Sequence, residues 1–196
     1  FHSSGDSLNA EEYAHFVMAQ IPGRHPLSVL LVSGGISGVI DEILKYNIRK
    51  IDYVELDPEI INIGRQYTDN LKADKLTIHA TDARKFIDSS EEQYDAVIVM
   101  LPEPLNLQLN RFYTEEFFIA VNNIMADGGS LCFGLPAGDN YINRELAECY
   151  RVIAATARRV FLQVIAYPAS RTIFVLSDAP LSYEVAGLIA KKNIPT

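Results

Sequence analysis

Short apolar runs bounded by turn residues alternate along the chain with stretches whose apolar positions recur at helical spacing. Asn9 followed by Glu12 reads as a capping-box-like helix start, with Tyr13, Phe16, Val17 and Gln20 at helical spacing and Pro22-Gly23 as the stop. Ser28 to Val32 is an apolar run between Pro26 and Gly34-Gly35, the right length for a strand buried on both faces. Val39, Ile40, Ile43 and Leu44 then predict a helix, and Lys50 to Leu56 a second strand. Asp57-Pro58 is a helix start, with a capping acid and a proline in the first turn.

The alternation continues. Leu76 to Ala80 reads as a strand, Asp82 caps a short helix through Phe86 and Ile87, and Ala96 to Met100 is a strongly apolar strand. Thr114 opens a helix to about Met125, Gly128-Gly129 leads into a strand from Ser130 to Gly134, and a long helix spans about Tyr141 to Ala157. Val160 to Ala166 and Thr172 to Leu176 are close enough to pair as antiparallel strands, and a last helix runs from about Ser182 to Ile189. The pattern predicts an α/β fold, a mostly parallel sheet of seven strands with helices on both faces. The stretch from Leu101 to Asn110, directly after the most apolar strand, has no clear period. Loops at the carboxyl ends of such strands bind ligands, so it is a candidate for function.

Composition narrows the classes. Lys plus Arg number 17 against 25 Asp plus Glu, a net charge of −8, which argues against a nucleic-acid-binding face. No run approaches the roughly 18 apolar residues of a membrane span. Cys132 and Cys149 lack metal-ligand spacing and read as reduced structural thiols, and His2, His15, His25 and His79 show no paired ligand spacing, so no metal is expected. The chain opens Phe1-His2-Ser3-Ser4, without an initiator Met, and is expected to be a piece of something longer.

Three features could carry chemistry. The loop Ser33-Gly34-Gly35-Ile36-Ser37-Gly38 joins the first strand to its helix, where small residues let a ligand approach the backbone; a tight turn explains it equally well. Glu55, at the end of the second strand, lies 17 residues after Gly38, about the spacing of a carboxylate that accepts both hydroxyls of a ribose. Asp82 follows the third strand and could receive an adenine amino group, cap a helix, or do both. Together they describe a nucleoside pocket across three adjacent strand ends.

These residues lie in stretches that resemble the spermidine synthases: Val29 to Gly38, Asp52-Tyr53-Val54-Glu55-Leu56-Asp57-Pro58-Glu59, and Thr81-Asp82-Ala83-Arg84-Lys85-Phe86. Tyr94 to Val99, Phe112-Tyr113-Thr114-Glu115-Glu116-Phe117 and Tyr167-Pro168 extend the resemblance, which runs from Glu11 to Ser177. It implies a Rossmann-like class I S-adenosylmethionine methyltransferase fold and aminopropyl transfer in polyamine biosynthesis. Residues 1–196 would be a single catalytic domain that lacks the family's amino-terminal β-hairpin domain. By the same resemblance, Gly34, Gly35, Ile36, Glu55, Leu56, Asp82 and Ala83 would contact decarboxylated S-adenosylmethionine or methylthioadenosine. Glu103 and Tyr167 would contact the amine substrate, and Glu103 would be the remaining catalytic carboxylate.

Several positions depart from the family pattern. Ile36 stands where the family has the aspartate that binds the aminopropyl amine. Met100 and Glu103 stand where two aspartates position and deprotonate the attacking amine. Phe16 and Val17 replace a polar pair, and Thr172 a tryptophan. An amine with a pKa near 10 arrives protonated, and Met100 cannot take its proton. Three functions stay open: an aminopropyltransferase with a degenerate polyamine site, an S-adenosylmethionine-dependent methyltransferase, or a catalytically inactive nucleoside-binding domain of a larger, membrane-associated protein. The expected partners are a small-molecule nucleoside and a polyamine, not nucleic acid. A homodimer and fusion to a membrane segment are left open, and the expected location is cytoplasmic, as a free domain or the soluble part of a membrane protein.

Overall fold

The computed structural model describes residues 4–23, 25–104, 106–137 and 143–194. Seven strands form one sheet: β1 (Leu27–Val32), β2 (Ile48–Glu55), β3 (Leu76–Ala80), β4 (Tyr94–Val99), β5 (Met125–Pro136), β6 (Gln163–Tyr167) and β7 (Arg171–Ser177). Their order is β3-β2-β1-β4-β5-β7-β6, and only β7 runs against its neighbours. Every residue of β1 and of β4 is buried, as central strands covered on both faces require.

Successive side chains of a strand point to opposite faces, and the core divides accordingly. Val29 and Leu31 of β1 join Ala96 and Ile98 of β4 in one apolar cluster, while Leu30 and Val32 join Val97 and Val99 in the other. The first cluster packs under α1 (Ser4–Met18), α2 (Val39–Leu44), α3 (Pro58–Tyr67) and α8 (Val185–Lys192). The second packs under α4 (Ala83–Asp88), α6 (Glu115–Asn123) and α7 (Arg144–Ala157). A four-residue helix α5 (Leu107–Asn110) and a 3-10 turn (Asn70–Lys72) complete the fold.

Caps fix several helix starts where the sequence pattern put them. The Asp57 carboxylate accepts the Glu59 N–H, Asp82 accepts the N–H groups of Arg84 and Lys85, and the Thr114 hydroxyl accepts the Phe117 N–H. Asn9 is a correction. It is not a cap, because α1 begins at Ser4 and its polar first turns carry no apolar signal. Other boundaries move by a few residues: β2 spans Ile48 to Glu55 and leaves Leu56 beyond its end, β6 starts at Gln163 and α8 at Val185. In place of a strand start at Val160, the N–H groups of Val160 and Phe161 close the end of α7 on the Ala157 carbonyl. Of the opening stretch Phe1 to Ser4, Phe1 to Ser3 lie outside the described residues, as does Tyr141, read as a helix start.

Among the described residues no helix is long and apolar enough to cross a membrane, and no three His, Cys, Asp or Glu side chains gather as a metal site needs. Cys132 and Cys149 are free, and burial pushes both thiols up, which keeps them protonated.

Candidate functional site

The parallel strands reverse their direction of travel between β1 and β4, and two adjoining cavities open at the carboxyl ends there. Glu55 closes β2 at their common wall. The residue is buried, 5% exposed, and holds three internal hydrogen bonds. Its Oε2 accepts from the Ser33 hydroxyl at 3.1 Å and the Tyr53 phenol at 3.0 Å, and its Oε1 accepts the Asp57 N–H at 3.2 Å. Burial and the Glu55 charge push the Tyr53 phenol up, so it remains a donor. A carboxylate offers about four acceptor positions, which leaves one on Oε1. A second ligand hydroxyl would need Ser33 to turn away.

The glycine loop begins in the left-handed region, with φ of 61° at Ser33 and 74° at Gly34. Its glycines answer to the protein's own packing. A Cβ on Gly34 would lie 2.7 Å from the Met100 Cβ, and one on Gly35 would lie 2.5 Å from the Tyr53 ring. The following helix α2 has six residues and carries Asp41 and Glu42 in its first turn, which disfavours an anion there.

The first cavity, of about 340 Å3, lies over β1, β2 and β3. Glu55, Leu56, Asp82 and Ala83 line it together with Val32, Val54, Leu101, Leu109, Arg111 and Phe112. Asp82 carries two duties: Oδ1 caps α4 and Oδ2 pairs with Arg111, whose guanidinium lies 4.9 Å from the centre of the Phe112 ring. Burial alone would raise the Asp82 carboxyl, but Arg111 and the two capping N–H groups hold it below its ordinary range. One acceptor position on Oδ2 stays open beside the guanidinium.

The second cavity, of about 480 Å3, lies over the ends of β1, β2 and β4, between α1 and the first residue of β7. Gly34, Ile36, Met100 and Glu103 line it, with Asn9, Tyr13, Pro102 and Arg171. Its ionised groups are Glu55 on the shared wall, Glu103, and the Arg171 guanidinium, 3.8 Å from the Glu103 carboxylate. Pro102 is also tied in, its carbonyl accepting from the Tyr113 phenol, which burial pushes up to about 12.

Gly34, Ile36, Glu55, Leu56, Asp82, Ala83 and Glu103 therefore converge on the paired cavities, while Gly35 lies behind the loop on Tyr53. Tyr167 lines neither cavity. Its hydroxyl donates to the Ser182 carbonyl at 2.7 Å and accepts from the Gln20 amide at 2.9 Å, and its ring packs on Phe16 with centroids 5.0 Å apart. His79 bonds Asp52 at 2.8 Å, beneath the rim. Sequence reasoning missed Arg111, Gln108, Asn9, Tyr13 and Arg171. Arg111 adjoins the Phe112-Tyr113 motif and Arg171 adjoins Thr172, the only local signals either offers.

A seven-stranded sheet in this order, with one reversed strand and a cavity over the ends of β1 to β3, is the class I methyltransferase architecture. The profile of the spermine/spermidine synthase domain matches residues 7–177, and the chain belongs to that family. The polyamine aminopropyltransferase of Korarchaeum cryptofilum is 32% identical over 142 residues, which cover 69% of this chain and 43% of that protein. Putrescine N-methyltransferase 2 of Nicotiana attenuata is 29% identical over 167 residues, 81% of this chain and 44% of that protein. The chain thus spans under half the length of these relatives. A crystal structure of spermidine synthase in complex with the transition state analogue AdoDATO superposes with a TM-score of 0.74 at 21% identity, covering 88% of this chain and 61% of that one.

Proposed function

We propose that the first cavity binds an adenosyl nucleoside, decarboxylated S-adenosylmethionine or a related compound, and that the second no longer forms a polyamine site. Glu55 takes a ribose hydroxyl on its open Oε1 position, while Asp82 and the Ala83 N–H receive the adenine. The observation that carries this reading is that Glu55 and Asp82 line one cavity whose remaining walls are mainly apolar, the pairing of polar edges and flat apolar faces that a nucleoside presents.

Aminopropyl transfer forms a carbon–nitrogen bond as the carbon–sulfur bond breaks, methylthioadenosine leaves, and the attacking amine sheds a proton. Met100 has no atom to take that proton, Ile36 offers no charge to an ammonium, and Glu103 faces a guanidinium. A polyamine here would bury ammonium groups without matching carboxylates, at a cost of several kcal/mol. The same departures favour a second reading, methyl transfer from S-adenosylmethionine, because Ile36 does not repel that compound's carboxylate. One relative in the family is itself named as a methyltransferase.

Calorimetric titration with methylthioadenosine, decarboxylated S-adenosylmethionine and S-adenosylmethionine tests the reading. All three are expected to bind. Preference for the decarboxylated compound supports the aminopropyl donor and preference for the full one the methyl donor. Absence of binding by all three overturns the proposal.

A further inference from the structure

The second cavity holds a cation where a polyamine site wants anions. Arg171 opens β7, and its backbone pairs with Pro136 of β5. Its Nη2 donates to the Gly134 carbonyl at 3.3 Å, and its Nη1 stands at 3.8 Å from Glu103, beyond a good hydrogen bond. Its Nε is buried and has no hydrogen-bond partner among the described residues. On the same cavity wall the Asn9 Oδ1 is also buried and without a partner. The Arg171 guanidinium, with the Tyr13 phenol beside it, the Asn9 amide and the Glu103 carboxylate thus line one space.

A guanidinium and a carboxylate that stand too far apart for a good hydrogen bond leave polar positions on each other open, so the pair describes what the cavity is shaped to receive. The ligand must offer an acceptor to Arg171, and a carboxylate fits a guanidinium best. It must also offer an N–H to Asn9, and an amine does so while meeting Glu103. We infer that the second cavity receives an amino-acid group, its carboxylate on Arg171 and its amine beside Asn9 and Glu103, in place of a polyamine. The inference deepens the nucleoside reading of the adjoining cavity and rests on it. Because Ser33, Glu55 and Leu101 line both cavities, the group can be the tail of the nucleoside itself or part of a separate acceptor.

Two matched pairs of probes separate these sources in titrations of the whole chain. S-adenosylhomocysteine and methylthioadenosine differ by the amino-acid tail. 4-Aminobutyrate and putrescine share a four-carbon chain but differ by a carboxylate in place of one amine, and they are titrated with and without methylthioadenosine. In at least one pair the carboxylate member should bind roughly tenfold tighter or better, a charged hydrogen bond's worth. Preference in the first pair locates the group on the nucleoside, and preference in the second on a separate acceptor. Arg171→Gln should abolish the preference. Should that variant fail to fold, Arg171→Lys decides alone: it keeps the charge without the forked donors and should narrow the preference several-fold, and an unchanged or wider one overturns the inference. The inference also fails if neither carboxylate ligand binds, if the amine-only or tail-less members bind as well, or if the preference survives in folded Arg171→Gln. If methylthioadenosine does not bind, the nucleoside reading falls, and the second pair still decides this one.

Discussion

The two cavities share a wall yet are held in very different ways. On the nucleoside side, the polar residues are also structural. Glu55 ties together the ends of β1 and β2 and the entry to α3, and Asp82 caps α4 while pairing with Arg111. On the other side no polar side chain ties elements together in that way: Met100 packs over Gly34 and Ile36 over Gly64 by apolar contact, and Glu103 reaches loosely toward Arg171. A residue that also holds the fold resists change, because its loss costs stability as well as binding, whereas a wall residue can change the ligand chemistry alone. On the proposed reading, the contrast accounts for a nucleoside half that keeps its polar residues beside an amine half that has exchanged them.

The contrast can be attacked from either side. The largest effect is expected from rebuilding the acceptor half. Ile36→Asp and Met100→Asp combined with Arg171→Thr should raise aminopropyl transfer from decarboxylated S-adenosylmethionine to putrescine by about 100-fold, the lower range of general-base gains. The same two aspartates with Arg171 retained should gain far less. Equal rates in the two variants, followed by product chromatography, would show that Arg171 is not what excludes the polyamine.

Next in size is Glu55→Ala, which should weaken methylthioadenosine binding by about 1.5–3 kcal/mol in calorimetry. Thermal unfolding should fall as well, since Ser33, Tyr53 and Asp57 lose their acceptor. Unchanged affinity in a folded variant removes Glu55 from the ribose.

The smallest effect belongs to Asp82→Asn, which keeps a capping side chain and loses the ion pair with a half-exposed Arg111, about 1 kcal/mol or less at neutral pH. The sign follows from the direction of the shift. Because the folded carboxyl lies below its ordinary 3.8, its stabilisation is complete above that value and drains away as pH falls through the lowered folded value. Urea midpoints of wild type and variant should therefore converge in acid. A gap that stays constant down to acid unfolding contradicts the ion pair's contribution.

How far the sequence reached depended on how local each signal was. The strands covered on both faces announce themselves as unbroken apolar runs, and Asp57, Asp82 and Thr114 act within three residues of their own positions, so the fold and the strand ends that gather at the first cavity were legible. The resemblance to the spermidine synthases is borne out by the family match. Asn9 misled because the helix continues past its apolar positions into polar turns. Arg111 and Arg171 were invisible because their meaning lies in distant partners. Arg111 meets Asp82 from 29 residues away, and Arg171 meets Gly134 from 37, across the antiparallel join of β5 and β7. Nothing in their neighbours' identities encodes those meetings.

Because β7 alone is reversed, its first residue stands at the rim where every other strand ends. At that rim Ile36, Met100 and Glu103 hang from connecting loops. Arg171 hangs instead from a rung of the ladder, so its bearing is set before anything arrives. An alteration at this single position can swap the polarity of the vestibule, which makes the upstream end of β7 the natural handle for retargeting this domain to a different acceptor.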